Sequence, residues 1–168
     1  QKAHTVNVLA ISYWQRGLLD EATDLYEQAL HMAQRAGDER LVALVEHNLG
    51  VIASIHGDLR QALEHYHRCL LGYRSLGMNE ETAHLLNNIG MAYASLEQWA
   101  EAESTYAEAR HLARACGVPL TRLMVDLNRV ALLIARAEYP SASALCGEVL
   151  ADAEELSEKR ILAEAYKH

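Results

Sequence analysis

Three asparagines, Asn48, Asn88 and Asn128, recur at a strict interval of 40 residues. A carboxamide is both a donor and an acceptor, so such a row has two possible uses. It can pair with the backbone of an extended peptide whatever that peptide's sequence, or each Asn can bond to a neighbouring helix and hold a stack together. Asn is a mediocre helix former, so its return needs a reason beyond propensity. Other reactive side chains form no set. Of nine histidines no two lie four apart on one predicted helix, and His65 and His67 point to different faces. His47 and His84 can approach one another but bring no Cys or carboxylate shell. Cys69, Cys116 and Cys146 form no spaced pair. There is no nucleophile–base–acid set, Gly-rich phosphate loop or pair of catalytic carboxylates. The sequence thus predicts no catalysis, no metal and no cofactor.

The elements that hold the asparagines are read from the stretch Asn88 to Ala109, two amphipathic helices meeting at a tight turn near Glu97. Shifted back by 40 residues, Asn48-Leu49-Gly50, Ala62, Tyr66 and Cys69 fall on Asn88-Ile89-Gly90, Ala102, Tyr106 and Ala109. A further shift back gives Leu9-Ala10, Tyr13, Ala22, Tyr26 and Ala29, and one forward gives Asn128, Leu133, Ala142, Cys146 and Val149. Four copies of one unit predict an all-α solenoid of helix-turn-helix repeats, at about 3–42, 43–82, 83–122 and 123–162. Residues 158–168 are expected to form a partial fifth repeat or a capping helix. Ala22, Ala62, Ala102 and Ala142 share one slot, opposite Ala10, Gly50, Gly90 and Val130. Small residues facing each other let two helices approach closely, with Tyr26, Tyr66 and Tyr106 filling the gap beside them. Gly17, Gly37, Gly57, Gly77 and Gly117 are expected to end helices, with Glu97 and Ala137 standing where a turn glycine is missing. Asp38 is expected to cap a helix, and Asp58 with Gln61 to form a capping box.

Charge narrows the partners. The net charge is −8, with three lysines and twelve scattered arginines, which disfavours nucleic acid. No apolar run approaches the roughly 20 residues of a membrane span. Cys69 and Cys146 occupy slots where other copies carry Ala, Val or Tyr, which suits a reducing cytoplasm. The sequence lacks an initiator Met and stops inside a helical pattern, so it is expected to be a piece of a larger protein.

Leu49-Gly50, Ile89-Gly90-Met91-Ala92-Tyr93, Gly57, Ala62 with Tyr66 and Ala102 with Tyr106 resemble the tetratricopeptide repeat, over about residues 3 to 157. The period is 40 rather than the usual 34. Units of this length resemble those of kinesin light chains, spindle-orientation adaptors and bacterial peptide-pheromone receptors. The resemblance implies a right-handed superhelix whose concave wall, lined by the first helix of each repeat, binds peptides. On that pattern the wall carries Asn7 and Trp14 from the first repeat and His47, Asn48 and Val51 from the second. His84, Asn87, Asn88 and Met91 come from the third and Leu127 and Asn128 from the fourth, with His4, Ile11, Leu44, Ile55, Ser95, Met124, Ala131 and Ile134 beside them. None is Lys or Arg, which argues against a carboxylate clamp and for an apolar or amphipathic segment, from a partner or from the parent chain. The reading is a non-catalytic protein- or peptide-binding scaffold. The alternative is a ligand- or peptide-responsive sensor segment of a larger bacterial signalling or transcriptional regulator. Self-association through the open ends of the array is a third expectation.

Overall fold

The computed structural model describes residues 1–165, with side chains described through residue 157. The described residues form eight α-helices and no strand: α1 (Lys2–Gln15), α2 (Leu19–Ala36), α3 (Glu39–Ile55), α4 (Leu59–Ser75), α5 (Asn79–Ser95), α6 (Trp99–Cys116), α7 (Pro119–Ala135) and α8 (Tyr139–Ala165). The period of the sequence is the period of the helices. Second helices start at Leu19, Leu59, Trp99 and Tyr139, and first helices after the opening one start at Glu39, Asn79 and Pro119.

All seven turns between helices use one device. Residue C′ takes a left-handed conformation, at φ between 58° and 85°, in Gly17, Gly37, Gly57, Gly77, Glu97, Gly117 and Ala137. The next N–H then reaches back five residues to an orphan carbonyl: Leu18 to Tyr13, Asp58 to Ala53, Gln98 to Tyr93 and Glu138 to Leu133. Glycine adopts this backbone without strain, whereas Glu97 and Ala137 hold it with a Cβ, so the hairpin geometry outweighs the local preference there. Asp38 caps α3 as expected, accepting from the Leu41 N–H at 3.0 Å. That hydrogen bond first, and His4 at 3.0 Å second, hold the Asp38 carboxyl below its usual range. The capping box at Asp58 does not form, since its carboxylate makes no cap bond to α4. The Asp58 carbonyl accepts from Ala62 instead, and tertiary packing fixes the start of α4 without the side chain.

Two compact units divide the chain, Gln1–Leu85 and Leu86–His168, with the boundary inside α5. In the first, α1 packs on α2, α2 on α3 and α3 on α4; in the second, α6 packs on α7 and α7 on α8. The small-residue slots lie in both cores as the spacing predicts. Ala22, Ala62, Ala102 and Ala142 are buried, as are Tyr26, Tyr66 and Tyr106. A Cβ on Gly50 would lie 2.5 Å from the Tyr66 ring, and one on Gly90 2.4 Å from the Tyr106 ring, so each ring sits where a larger residue would push it aside. Burial pushes the hydroxyls of Tyr26, Tyr66 and Tyr106 up to about 12. The fourth repeat reverses the sizes, with Val130 opposite Cys146, both half-buried. Its second helix α8 runs unbroken for 27 residues to Ala165, through the residues assigned above to a fifth repeat or cap. The side chains of residues 158–168 lie outside the described residues.

Candidate functional site

The first helices carry exposed apolar side chains on a face that also holds the asparagine row. In the first unit, Leu44, Asn48, Val51 and Ile55 are spaced by four, three and four along α3, which places them on one face. Leu44 and Ile55 are exposed, Asn48 and Val51 half-buried. Trp14 on α1 and His84 on α5 are also exposed. In the second unit Met91 on α5 is exposed beside half-buried Asn88. On α7, Met124, Leu127 and Ile134 are each about half exposed, and Met124 lies one turn before half-buried Asn128.

Two expected wall residues stand elsewhere. Asn7 and Asn87 are only 4% and 3% exposed, so they lie in the packing and not on an open face. Each precedes the Asn-row slot by one position, and one residue turns a helix by about 100°, enough to carry a side chain from the wall into the interior. Asn87 has a partner there: its Oδ1 accepts from Asn128 Nδ2 at 2.8 Å, and its Nδ2 lies 3.8 Å from the Met91 sulfur. Asn128 Nδ2 therefore bonds to a neighbouring helix. The Oδ1 of Asn7 is buried without a donor among the described residues.

His47 shares the slot of Asn7 and Asn87 and is half-buried between aromatic rings. Its ring lies edge-on to Tyr66 and Tyr73, with the Tyr73 hydroxyl 3.4 Å from Nδ1. Burial, with His84 adding repulsion, drives its pKa down to about 4, so it is neutral at pH 7. The Cys69 thiol beside Tyr73 is pushed up to about 12 by burial, which makes it inert packing. Among the described residues, no group of three or more His, Cys, Asp or Glu is placed to hold a metal. No described helix is long and apolar enough to cross a membrane.

Two buried ionic networks went unread in the sequence. In the first unit Glu46, 3% exposed, accepts from His65 at 2.7 Å and from Arg68 at 2.9 Å. Burial alone would raise its carboxyl, but these bonds outweigh it and hold it below the usual range. In the second unit buried Asp126 pairs with Arg110 at 2.9 Å and Arg129 at 3.4 Å, and Arg129 reaches Glu103 at 2.9 Å. Glu46 and Asp126 occupy one slot, 80 residues apart, where the other copies carry Val6 and Leu86. A charge in an otherwise apolar slot was the available signal.

Comparison with known proteins agrees with this geometry. The transcriptional activator NprA of Geobacillus stearothermophilus is 32% identical over 88 residues, 52% of this chain and 22% of that protein. BtubC from P. vanneervenii superposes with a TM-score of 0.85 at 21% identity, covering 92% of this chain and 64% of that one. RapI without ligand gives 0.85 at 13% identity over 97% of this chain and 60% of that one. A Rap protein complexed with competence and sporulation factor gives 0.81 at 17%, over 98% and 47%. The chain thus spans less than two thirds of each of these proteins, and the solved structures speak for the fold alone. The sequence itself matches the tetratricopeptide repeat over residues 2–75 and again over 41–115. Eight helices in period-40 hairpins and two overlapping matches across most of their length establish that the chain belongs to the tetratricopeptide repeat family.

Proposed function

We propose that this chain is a non-catalytic binding scaffold whose first-helix faces hold an extended apolar or amphipathic peptide segment. The observation that carries this is the pairing of exposed apolar side chains with asparagines on those faces. Leu44 and Ile55 flank Asn48, Met91 adjoins Asn88, and Met124 shares a face with Asn128, with Leu127 and Ile134 exposed farther round α7. Apolar side chains supply pockets and carboxamides supply bonds to a backbone, the combination that recognises extended peptides. The cysteines Cys69, Cys116 and Cys146 are free, which suits a reducing cytoplasm. A second reading, a peptide-responsive sensor segment of a bacterial transcriptional regulator, draws on the likeness to NprA, itself a transcriptional activator. An output domain in the full-length gene would favour that reading.

The test is a displayed library of linear 12-residue peptides selected against the chain. Asn48→Ala combined with Asn88→Ala, one in each unit, is expected to weaken the selected peptide at least about fivefold, from the loss of a hydrogen bond at roughly 1 kcal/mol. The helical circular-dichroism signal and melting temperature should stay close to those of the unsubstituted chain. Unaltered affinity in the folded double variant defeats the role of the row. Capture that persists at 1 M salt supports apolar pockets, whereas capture abolished by salt means that charge dominates the face.

A further inference from the structure

We infer that Met91 and Asn87 are positioning residues that decide which end of the Asn128 carboxamide faces a bound segment. The inference rests on the binding reading above and narrows it: Asn128 spends an Nδ2 hydrogen on Asn87 and keeps its Oδ1 as the unspent acceptor, so a segment that uses this oxygen brings a backbone N–H to it. Asn87 Nδ2 lies 3.8 Å from the Met91 sulfur, and Asn87 Oδ1 takes the Nδ2 proton of Asn128 at 2.8 Å. A thioether accepts weakly and has no hydrogen to give. Turned end for end, Asn87 would set oxygen lone pairs against sulfur lone pairs and an NH2 against the NH2 of Asn128. The sulfur thus fixes Asn87, and Asn87 fixes Asn128. Because Asn87 is buried, water does not compete for its two ends. Asn128 is half-buried among Met124 and Leu127, and its Oδ1 has no donor among the described residues.

The first unit supplies an independent comparison. Asn7 and Asn48 stand 41 apart, as Asn87 and Asn128 do, but the residue four beyond Asn7 is Ile11 where Met91 follows Asn87. No sulfur is there to orient the amide, and the bond is not made. Asn7 Oδ1 is buried without a donor, and the Asn48 side chain makes no hydrogen bond among the described residues. The rung between the helices is closed where methionine stands and open where isoleucine stands.

Two variants of conserved bulk test this. Met91→Leu removes the sulfur and keeps the apolar volume; Ile11→Met adds a sulfur to the first unit. Side-chain amide exchange with water, followed by ¹⁵N NMR, reads the rungs without any ligand. Met91→Leu is expected to speed exchange of the Asn87 and Asn128 NH2 groups about fivefold, the loss of one net hydrogen bond. Ile11→Met is expected to slow that of Asn48 by a similar factor. Unchanged exchange in both variants overturns the orienting role. The ligand arm uses the selected 12-residue peptide with each backbone amide replaced in turn by an ester, which deletes the N–H. One replacement should weaken binding about tenfold in the parent chain and far less in Asn128→Ala. A peptide that needs Asn128 yet tolerates every ester overturns the acceptor assignment. If no peptide is captured, the binding reading fails and the acceptor role with it, while the exchange arm still decides whether sulfur orients the rung.

Discussion

A single ring, His47, shows what one side chain does to this fold. It occupies the slot of Asn7 and Asn87 and is held neutral between Tyr66 and Tyr73 with a pKa of about 4, against 6.5 when exposed. The unfolded chain therefore takes up the proton first as pH falls. Stability from this group is complete above about pH 6.5 and is lost between about 6.5 and 4, by roughly 2–3 kcal/mol. Glu46 adds a second, lower window: its carboxyl is held down, so its contribution is present above about pH 4.3 and disappears as pH falls through its folded value. His47→Asn is expected to flatten the upper window and leave the lower one, as measured by urea midpoints at pH 7, 5.5 and 4.5. An unchanged slope between pH 7 and 5.5 would show that His47 does not titrate with folding. Of this residue-scale detail the sequence displayed the period but not the register. The family pattern puts Asn7 and Asn87 on the wall, one position before the Asn row, and that step of helix rotation buries them. Glu46 and Asp126 were unread because their burial depends on partners 16 to 22 residues away, His65, Arg68 and Arg110, which no local spacing marks.

Helix pairs were the most legible level. Close approach of two helices requires a small residue, the gap beside it requires a ring, and both demands repeat with the hairpin. The Gly50–Tyr66 and Gly90–Tyr106 crossings show that the two slots are one volume shared between two helices. Read slot by slot, the fourth repeat looks degenerate; read as a pair, it exchanges glycine and tyrosine for Val130 and Cys146. Cys146→Tyr alone should overpack against Val130 and lower stability by roughly 1–3 kcal/mol. Val130→Gly together with Cys146→Tyr should recover most of that loss. Chemical denaturation of the three variants measures the coupling, and additive effects would mean the two slots do not share space. Turn chemistry was equally readable, because a left-handed residue is needed wherever a helix reverses. Glu97 and Ala137 were legible only through the period, which marked them as turn residues against their own preference.

For the molecule as a whole, the order of repeats was plain in the sequence and the partner was not. Stacking is imposed by what each hairpin must bury, whereas a partner is set by surface side chains that the fold leaves free to vary. The contacts fall into the units Gln1–Leu85 and Leu86–His168, and in a repeat array each hairpin touches mainly its neighbours. A lesion should then stay local. Gly90→Ala, which forces the Tyr106 ring aside, is expected to lose amide protection chiefly in α6 and α7, with α1 and α2 retaining most of theirs. Hydrogen exchange read residue by residue checks this, and a uniform loss from α1 to α7 would make the chain one cooperative block.

The shared spacing of the helix starts has a consequence for how such a chain changes length. Residues 39–78 begin at a first-helix start and end one residue before the next, with the same left-handed joint closing the pair at each side. In a tandem copy of that 40-residue cassette the second Glu39 would follow the Gly77 joint as Asn79 does, so growth or loss by whole cassettes preserves every left-handed joint. An insertion of any other size has to rebuild one.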